Sequence, residues 1–312
     1  MNIQQIEYVL AVAELRNFGQ AAERCFITQS TLSTMVARFE DEIAIRIFDR
    51  KTKPITITKE GETVLYQLKA ISKEIRTLSE VVQILKGELS GELKIGVIPT
   101  VAPYILPRFL NGFASKFPKL TFTVSEITTE TILDMLFKRE LDVGIVAIPI
   151  TNDNFIEIPL YNEPFVLYDC QSESLEKPAR IENLNIDNLW LLEDGHCLQT
   201  QVKKICDFEK CKTKERINFD YKAGSIDSLI RFVKMERGIT LLPYLSTLDF
   251  TAKERKRLSE FQSSVPVRNI GLIVHKHFVK KQILELLQLE IQDKILPLLK
   301  MKMQDKWVIS PV

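Results

Sequence analysis

The chain has no surplus of charge of either sign: 42 Lys and Arg stand against 41 Asp and Glu in 312 residues, a formal net charge of +1. Bulk charge therefore gives no argument for a polyanionic partner, and the basic and acidic residues of positions 1–61 balance in the same way. No apolar run approaches the ~20 residues of a membrane-spanning helix. The first residues lack the charged and apolar regions of a secretory leader, so a cytoplasmic protein with no membrane partner is expected. Cysteine is sparse, five in all. That is too few for a secreted disulfide scaffold and points to a reducing compartment, where a transient disulfide would be a signal. A Gly-rich phosphate loop, a Ser-His-Asp order and a paired-carboxylate signature are all missing. Cys206, Cys211, His275 and His277 fit no common zinc or cluster spacing. Neither a catalytic turnover, a cofactor nor a metal is expected.

What is present begins with three short helical patterns. Asn2 and Gln5 occupy capping-box positions for a helix from about Ile3 to Ala13. Asn17 and Gln20 repeat that spacing ahead of Phe18, Ala21, Ala22, Cys25 and Phe26, which share one helical face and place Cys25 in a core. Thr28 can cap a third helix with Leu32, Met35, Val36, Phe39 and Ile43 on its apolar side. Its other side presents Ser30, Thr34 and Ala37, flanked by Gln29, Thr31, Ser33 and Arg38. A smooth, hydroxyl-rich face of this kind suits a major groove, although the helix alone reads better as a solvated surface. The segment Phe48–Thr58 then reads as a β-wing with Ile55 and Ile57 alternating and Arg50, Lys51 and Lys53 at its tip, placed to meet phosphates. Phe18-x-x-Ala-Ala22, Gln29-Ser-Thr-Leu-Ser33, Phe39-Glu-Asp-Glu-Ile43, Phe48-Asp-Arg50 and Ile57-Thr-Lys-Glu-Gly61 resemble the N-terminal winged helix-turn-helix of LysR-type transcriptional regulators. Ser30 and Ala44 depart from that family, which commonly carries Pro and Gly there. The resemblance implies a DNA-binding domain at 1–61, with promoter DNA and RNA polymerase as partners.

From Thr58 to about Lys86 only Gly61, in the first turn, interrupts a helical pattern. Val64, Leu68, Ile71, Ile75, Leu78, Val82 and Leu85 recur at alternating spacings of four and three, a heptad seam that calls for a partner helix. A helix lying on its own domain would show a broader stripe of period 3.6. Residues 58–90 are thus expected to form a linker helix and hinge that make a homodimer, which would present two recognition helices to two half-sites.

Beyond residue 91 strands and helices alternate: Leu93–Ile98, Pro103–Phe117, Leu120–Glu126, Thr129–Lys138 and Leu141–Ala147. This rhythm predicts an α/β fold with a mainly parallel sheet covered on both faces. A second group holds strands at Phe165–Tyr168, Leu189–Leu192 and Ile239–Leu242 and helices after Cys197 and at Ile226–Glu236. A strand at Ile270–His275 and a helix at Lys280–Leu299 close the chain. The family resemblance implies a two-subdomain regulatory domain like that of periplasmic binding proteins. Its first subdomain would span 91–162 plus 268–300 and its second 163–267, where Gly238-Ile-Thr-Leu-Leu-Pro243 is a family-like landmark. The cleft between such halves is the default sensor site.

Within the second half, Leu192-Glu-Asp-Gly-His-Cys197 leads into a helical segment that reaches Cys206. A thiol beside an imidazole at a helix N-terminus has surroundings that favour a thiolate. If the segment is helical, its rise separates the two cysteines by ~13 Å. A disulfide tolerates Cα separations of only ~7 Å, so pairing would require the helix to be rebuilt. Two cysteines in one segment are otherwise ordinary packing residues. This stretch, together with Ile95-Gly-Val-Ile-Pro-Thr100-Val-x-Pro-Tyr104-x-Leu-Pro107 and Phe117-Pro-Lys-Leu120, resembles the peroxide-sensing branch of the LysR-type regulators. The resemblance implies a peroxidatic Cys197, a resolving Cys206 and a peroxide pocket of Thr100, Thr129 (or Thr128, its neighbour), His196 and Arg268. It also implies a homotetramer, hydrogen peroxide as the signal, and glutaredoxin or thioredoxin as the reductant. Two alternatives remain: a LysR-type regulator answering a small organic effector, with both cysteines structural, or a thiol peroxidase or solute-binding protein. Cys170 and Cys211 are read as packing or exposed residues.

Overall fold

The computed structural model describes residues 1–85, 90–171, 178–184, 186–206, 221–262, 264–299 and 306–311. Most of the expected hinge (86–89), the Leu85 side chain and Cys211 lie outside the described residues. The chain divides into two compact units, Met1–Glu88 and Leu89–Val312.

In the first unit α1 (Ile3–Leu15), α2 (Phe18–Arg24) and α3 (Gln29–Ile43) are each started by a side chain that accepts from an orphan amide of the first turn. Asn2 and Gln5 form the reciprocal capping box, Asn17 accepts from Gly19 and Gln20, and Thr28 accepts from Thr31. Ile6, Val9, Val12, Phe18, Leu32, Val36 and Phe39 form one core. Strands β1 (Phe48–Asp49) and β2 (Thr56–Ile57) pair antiparallel as a small wing. Glu40 is buried, yet Oε1 accepts the amides of Ile47 (2.7 Å) and Phe48 (3.0 Å), fixing the turn that leads into the wing. The long helix α4 (Lys59–Leu85) follows. Leu65 and Leu68 are buried in the helical core, whereas Ile71, Leu78 and Val82 are exposed within the chain. Its start thus packs on its own domain, and the apolar stripe beyond Ile71 continues outward.

The second unit is built on an eight-stranded sheet ordered β4-β3-β5-β9-β6-β7, with β8 beside β6 and β10 beside β9. Strand β3 (Gly91–Val97) lies parallel to β4 (Leu120–Glu126) and β5 (Val143–Ile148), with α5 (Ala102–Lys116) and α6 (Thr129–Phe137) as crossovers. The long strand β6 (Phe155–Asp169) pairs antiparallel with β9 (Val265–His275), which is also antiparallel to β5. Beyond Pro164, β6 continues antiparallel to β7 (Ile239–Pro243) and β8 (Leu258–Glu260). The sheet is mixed and not, as the βαβ rhythm suggests, mainly parallel. Local periodicity registers the crossovers at 91–148 but not the direction in which β6 and β9 return. Leu189–Leu192 makes only isolated bridges, Leu189 to Ile239 and Leu192 to Ala223.

Two cores result. One gathers Ile95, Ile105, Phe109, Phe113, Ile145, Leu272 and residues of α10 (Lys281–Ile295). The other holds Phe165, Tyr168, Leu241, Ile226 and Val233, the last two from α8 (Ile226–Met235), together with α7 (Cys197–Ile205). A short helix α9 (Ala252–Arg255) precedes β8, and β10 (Lys306–Val308) runs parallel to residues Val265–Val267 of β9.

Candidate thiol site and nucleic-acid surface

Helix α7 starts where Gly195 takes φ +98°, a turn conformation closed to most side chains, and His196 supplies the N-cap position. Cys197 is the first helical residue and Cys206 the C-cap, so the two thiols stand at opposite ends of nine helical residues. The helix rise puts them ~13 Å apart along the axis. They also belong to different surroundings: Cys197 packs against the first core, and Cys206 is buried in the second.

Burial raises the Cys197 thiol above its ordinary range. Three influences pull the other way: the Arg268 charge, a hydrogen bond from Thr129, and the amides of Leu198 and Cys197 at the helix N-terminus. The adjacent Thr128 does something else, capping α6 through Thr131. Thr100 does not touch the sulfur through any described hydrogen bond; it holds Arg268, whose Nη1 donates to Thr100 Oγ1 and Nη2 to Thr100 O, both at 3.0 Å. Arg268 is buried and paired with the equally buried Glu163, Nη2 lying 2.8 Å from Oε2. His196 is buried, with Nε2 3.7 Å from Glu193 Oε1. The structure therefore brings Thr129, Arg268 and Cys197 together, hydrogen-bonds Thr100 to Arg268, and turns the His196 ring nitrogen toward Glu193.

Sequence reasoning missed Glu163, Tyr104, Tyr161 and Gln201. Burial pushes both tyrosine hydroxyls up, and both experience Arg268 and Glu163. Gln201 lies in the buried stripe of α7, and its Nε2 donates to Ile309 O at 2.9 Å. The available signals were a lone carboxylate opening the apolar run after Glu163, and a polar residue inside the stripe Leu198, Val202, Ile205.

On the first unit, Gln29, Ser30, Thr31, Thr34, Arg38, Lys51 and Lys53 are exposed and Ser33 is half-buried. The hydroxyls are partly engaged: Thr28 Oγ1 lies 2.8 Å from that of Thr31 and 3.0 Å from that of Ser30, and Thr34 donates to Ser30 O. Arg50 reaches back from the wing. It donates to Ser33 Oγ and Glu40 Oε2, both at 3.1 Å, and lies 5.0 Å from the Phe18 ring centroid. It is thus held against α3, and Lys51 and Lys53 form the outer part of the wing.

Residues 3–62 match the bacterial regulatory helix-turn-helix model of the lysR family, and residues 86–289 match the LysR substrate binding domain. The chain belongs to the LysR family. It is a DNA-binding transcriptional regulator and not a catalyst, and oligomerisation goes with that membership. This LysR-type regulator is 34% identical over 279 residues to the DNA-binding transcriptional dual regulator OxyR of Escherichia coli K12, covering 88% of the chain and 89% of the relative. It is 34% identical over 259 residues to the hydrogen peroxide-inducible genes activator of Pectobacterium carotovorum, covering 82% and 83%. Full-length OxyR from Pseudomonas aeruginosa, solved as a variant, superposes with TM-score 0.72 and 28% identity, covering 94% of this chain and 98% of that one. A peroxide-bound OxyR variant from Corynebacterium glutamicum gives TM-score 0.62 and 27% identity, covering 95% and 93%. The regulator is accordingly a close relative of OxyR. Among the described residues no helix is long and apolar enough to cross a membrane.

Proposed function

We propose that this regulator senses hydrogen peroxide through Cys197 and Cys206 and controls oxidative-stress genes accordingly. One observation carries the reading: the two thiols bracket an intact helix and pack on separate cores, so bonding them must dismantle α7. The Cys197 thiolate attacks one peroxide oxygen and the O–O bond breaks. A sulfenic acid forms, and the departing hydroxide takes a proton to become water. Arg268 and the Thr129 hydroxyl supply the positive charge and the donor that stabilise the developing anion. Cys206 then displaces water from the sulfenic acid to give the disulfide. A dithiol reductant of the glutaredoxin or thioredoxin kind returns two electrons and resets it.

The regulatory halves, 91–162 with 268–300 and 163–267, meet along β6 and β9, so unravelling α7 changes the second half against a hinge of two continuous strands. The change reaches promoter DNA, and RNA polymerase on it, through a homodimer along α4 and a homotetramer of such dimers. Gln29, Ser30, Thr31, Ser33, Thr34 and Arg38 face the major groove, with Lys51, Lys53 and the pre-set Arg50 against phosphates.

Mass spectrometry after stoichiometric peroxide tests the chemistry and is expected to find a Cys197–Cys206 bridge. Cys197→Ser is expected to abolish the peroxide response while leaving operator binding intact. A Cys197→Ser protein that still switches would remove the thiol mechanism.

A further inference from the structure

Arg268 is fixed by more than its place on β9. Its Nε donates to Glu163 Oε2 at 2.9 Å and its Nη2 lies 2.8 Å from the same oxygen. Nη2 also donates to Thr100 O, and Nη1 to Thr100 Oγ1. A guanidinium has five N–H donors. This arrangement leaves a single donor, on Nη1, without a described partner. Because Thr100 Oγ1 accepts from Arg268, its own proton is turned away from the guanidinium. Glu163 is itself fully buried on β6, and its second oxygen accepts the Leu245 amide at 2.8 Å from the turn after β7. Both oxygens are thus in use, and the carboxylate sits where β6 passes from one core to the other.

We propose that Glu163 is a positioning residue for the thiol reaction: it sets the guanidinium of Arg268 so that the remaining Nη1 donor and the Thr100 hydroxyl proton serve the distal peroxide oxygen, which leaves as Cys197 attacks its neighbour. The inference rests on the peroxide reading of Cys197 and assigns a role to a residue that never touches the reacting atoms. A guanidinium whose Nε and Nη2 both meet one oxygen of a buried carboxylate is held against swinging. A guanidinium released from it would keep its charge near the sulfur and lose its aim. Charge and aim are separable. The charge sets how much thiolate exists, whereas the aim governs only a reaction whose leaving group needs the donor.

The test uses the full chain with Cys206→Ser, so that only the first step is read, and compares hydrogen peroxide with iodoacetamide over pH 6–9. Glu163→Gln keeps the shape and the acceptor for Leu245. The peroxide rate is expected to fall on the order of tenfold or more, as for a misplaced transition-state donor, while alkylation stays within about threefold because thiolate abundance is little changed. Glu163→Asp, which restores the carboxylate, is expected to recover most of the peroxide rate. Equal peroxide rates with and without Glu163→Gln, or parallel loss of both reactions, would overturn the proposal. If Glu163→Gln fails to fold, the pair Arg268→Gln and Arg268→Gln/Glu163→Gln decides, since the double change leaves no lone buried charge. Identical peroxide rates support action through Arg268, and a further loss refutes it. A parent protein that does not react with peroxide condemns the reading of Cys197; a reactive parent with an equally reactive Glu163→Gln condemns only the role of Glu163.

Discussion

Ala44 ends α3 in the left-handed region, at φ 56° and ψ 29°. A Cβ there crowds the following carbonyl, at a cost of roughly 1–2 kcal/mol that glycine avoids, partly offset by glycine's greater freedom in the unfolded chain. Ala44→Gly is therefore expected to stabilise the DNA-binding unit by about 0.5–1 kcal/mol, read as a raised denaturant midpoint with an unchanged m-value. Glu40 works in the opposite direction. Its buried carboxylate holds two amides as well as Arg50 and Arg46, and Glu40→Ala would strand the amides. A loss of about 3 kcal/mol is expected, with the wing disordered and operator affinity lost before the regulatory unit changes. At Cys197 burial outweighs the Arg268 charge and raises the thiol, so thiolate is the minor form near neutrality. The sulfenic acid should form about tenfold faster per pH unit while pH stays below the raised value. Arg268→Gln withdraws a thiolate-stabilising charge and should move that rise to higher pH. A profile already flat from pH 6 would show that the thiol is not held up.

At the scale of elements, α7 was legible in the sequence as a helix with cysteines at both ends, because Gly195 and the stripe Leu198, Val202, Ile205 mark its start and its buried face. Legibility ended where distant strands decide the outcome. Glu163 and Pro164 read as a boundary in the sequence, yet β6 runs straight through them, since β9 satisfies its backbone on one side and β7 takes over beyond. The partner of Gln201 was equally invisible, being a carbonyl more than a hundred residues away. Through the Gln201–Ile309 bond, the buried Ile309 and the pairing of β10 with β9, residues 306–311 lie across α7 and the strand that carries Arg268. Rebuilding α7 must break that bond. Deleting residues 306–312 is therefore expected to speed amide exchange in α7 and to accelerate closure of the sulfenic acid onto Cys206, both by several-fold. Unchanged exchange in the shortened protein would show that this segment does not restrain the helix.

For the whole molecule, the long helix α4 was readable because its apolar residues recur at spacings of four and three with only Gly61 to interrupt them, whereas the length over which it needs a partner was not. The seam splits. Of its residues, Leu68 is buried in the helical core and Val64 packs against it, while Leu78, 65% exposed, and Val82 continue the stripe outward. A dimeric helix-turn-helix protein that engages two half-sites gains affinity from linkage, which vanishes when the linked copies separate. Glutamates at facing seam positions bring like charges together and cannot be buried there. Leu78→Glu with Val82→Glu is thus expected to convert a dimer or tetramer to a monomer in sedimentation. Operator affinity should fall at least on the order of a hundredfold as the avidity of two sites is lost, with reactivity of Cys197 toward peroxide unchanged. If the doubly substituted protein still sediments as the parent assembly, the outer half of α4 is not what joins the copies, and the regulatory units must do so.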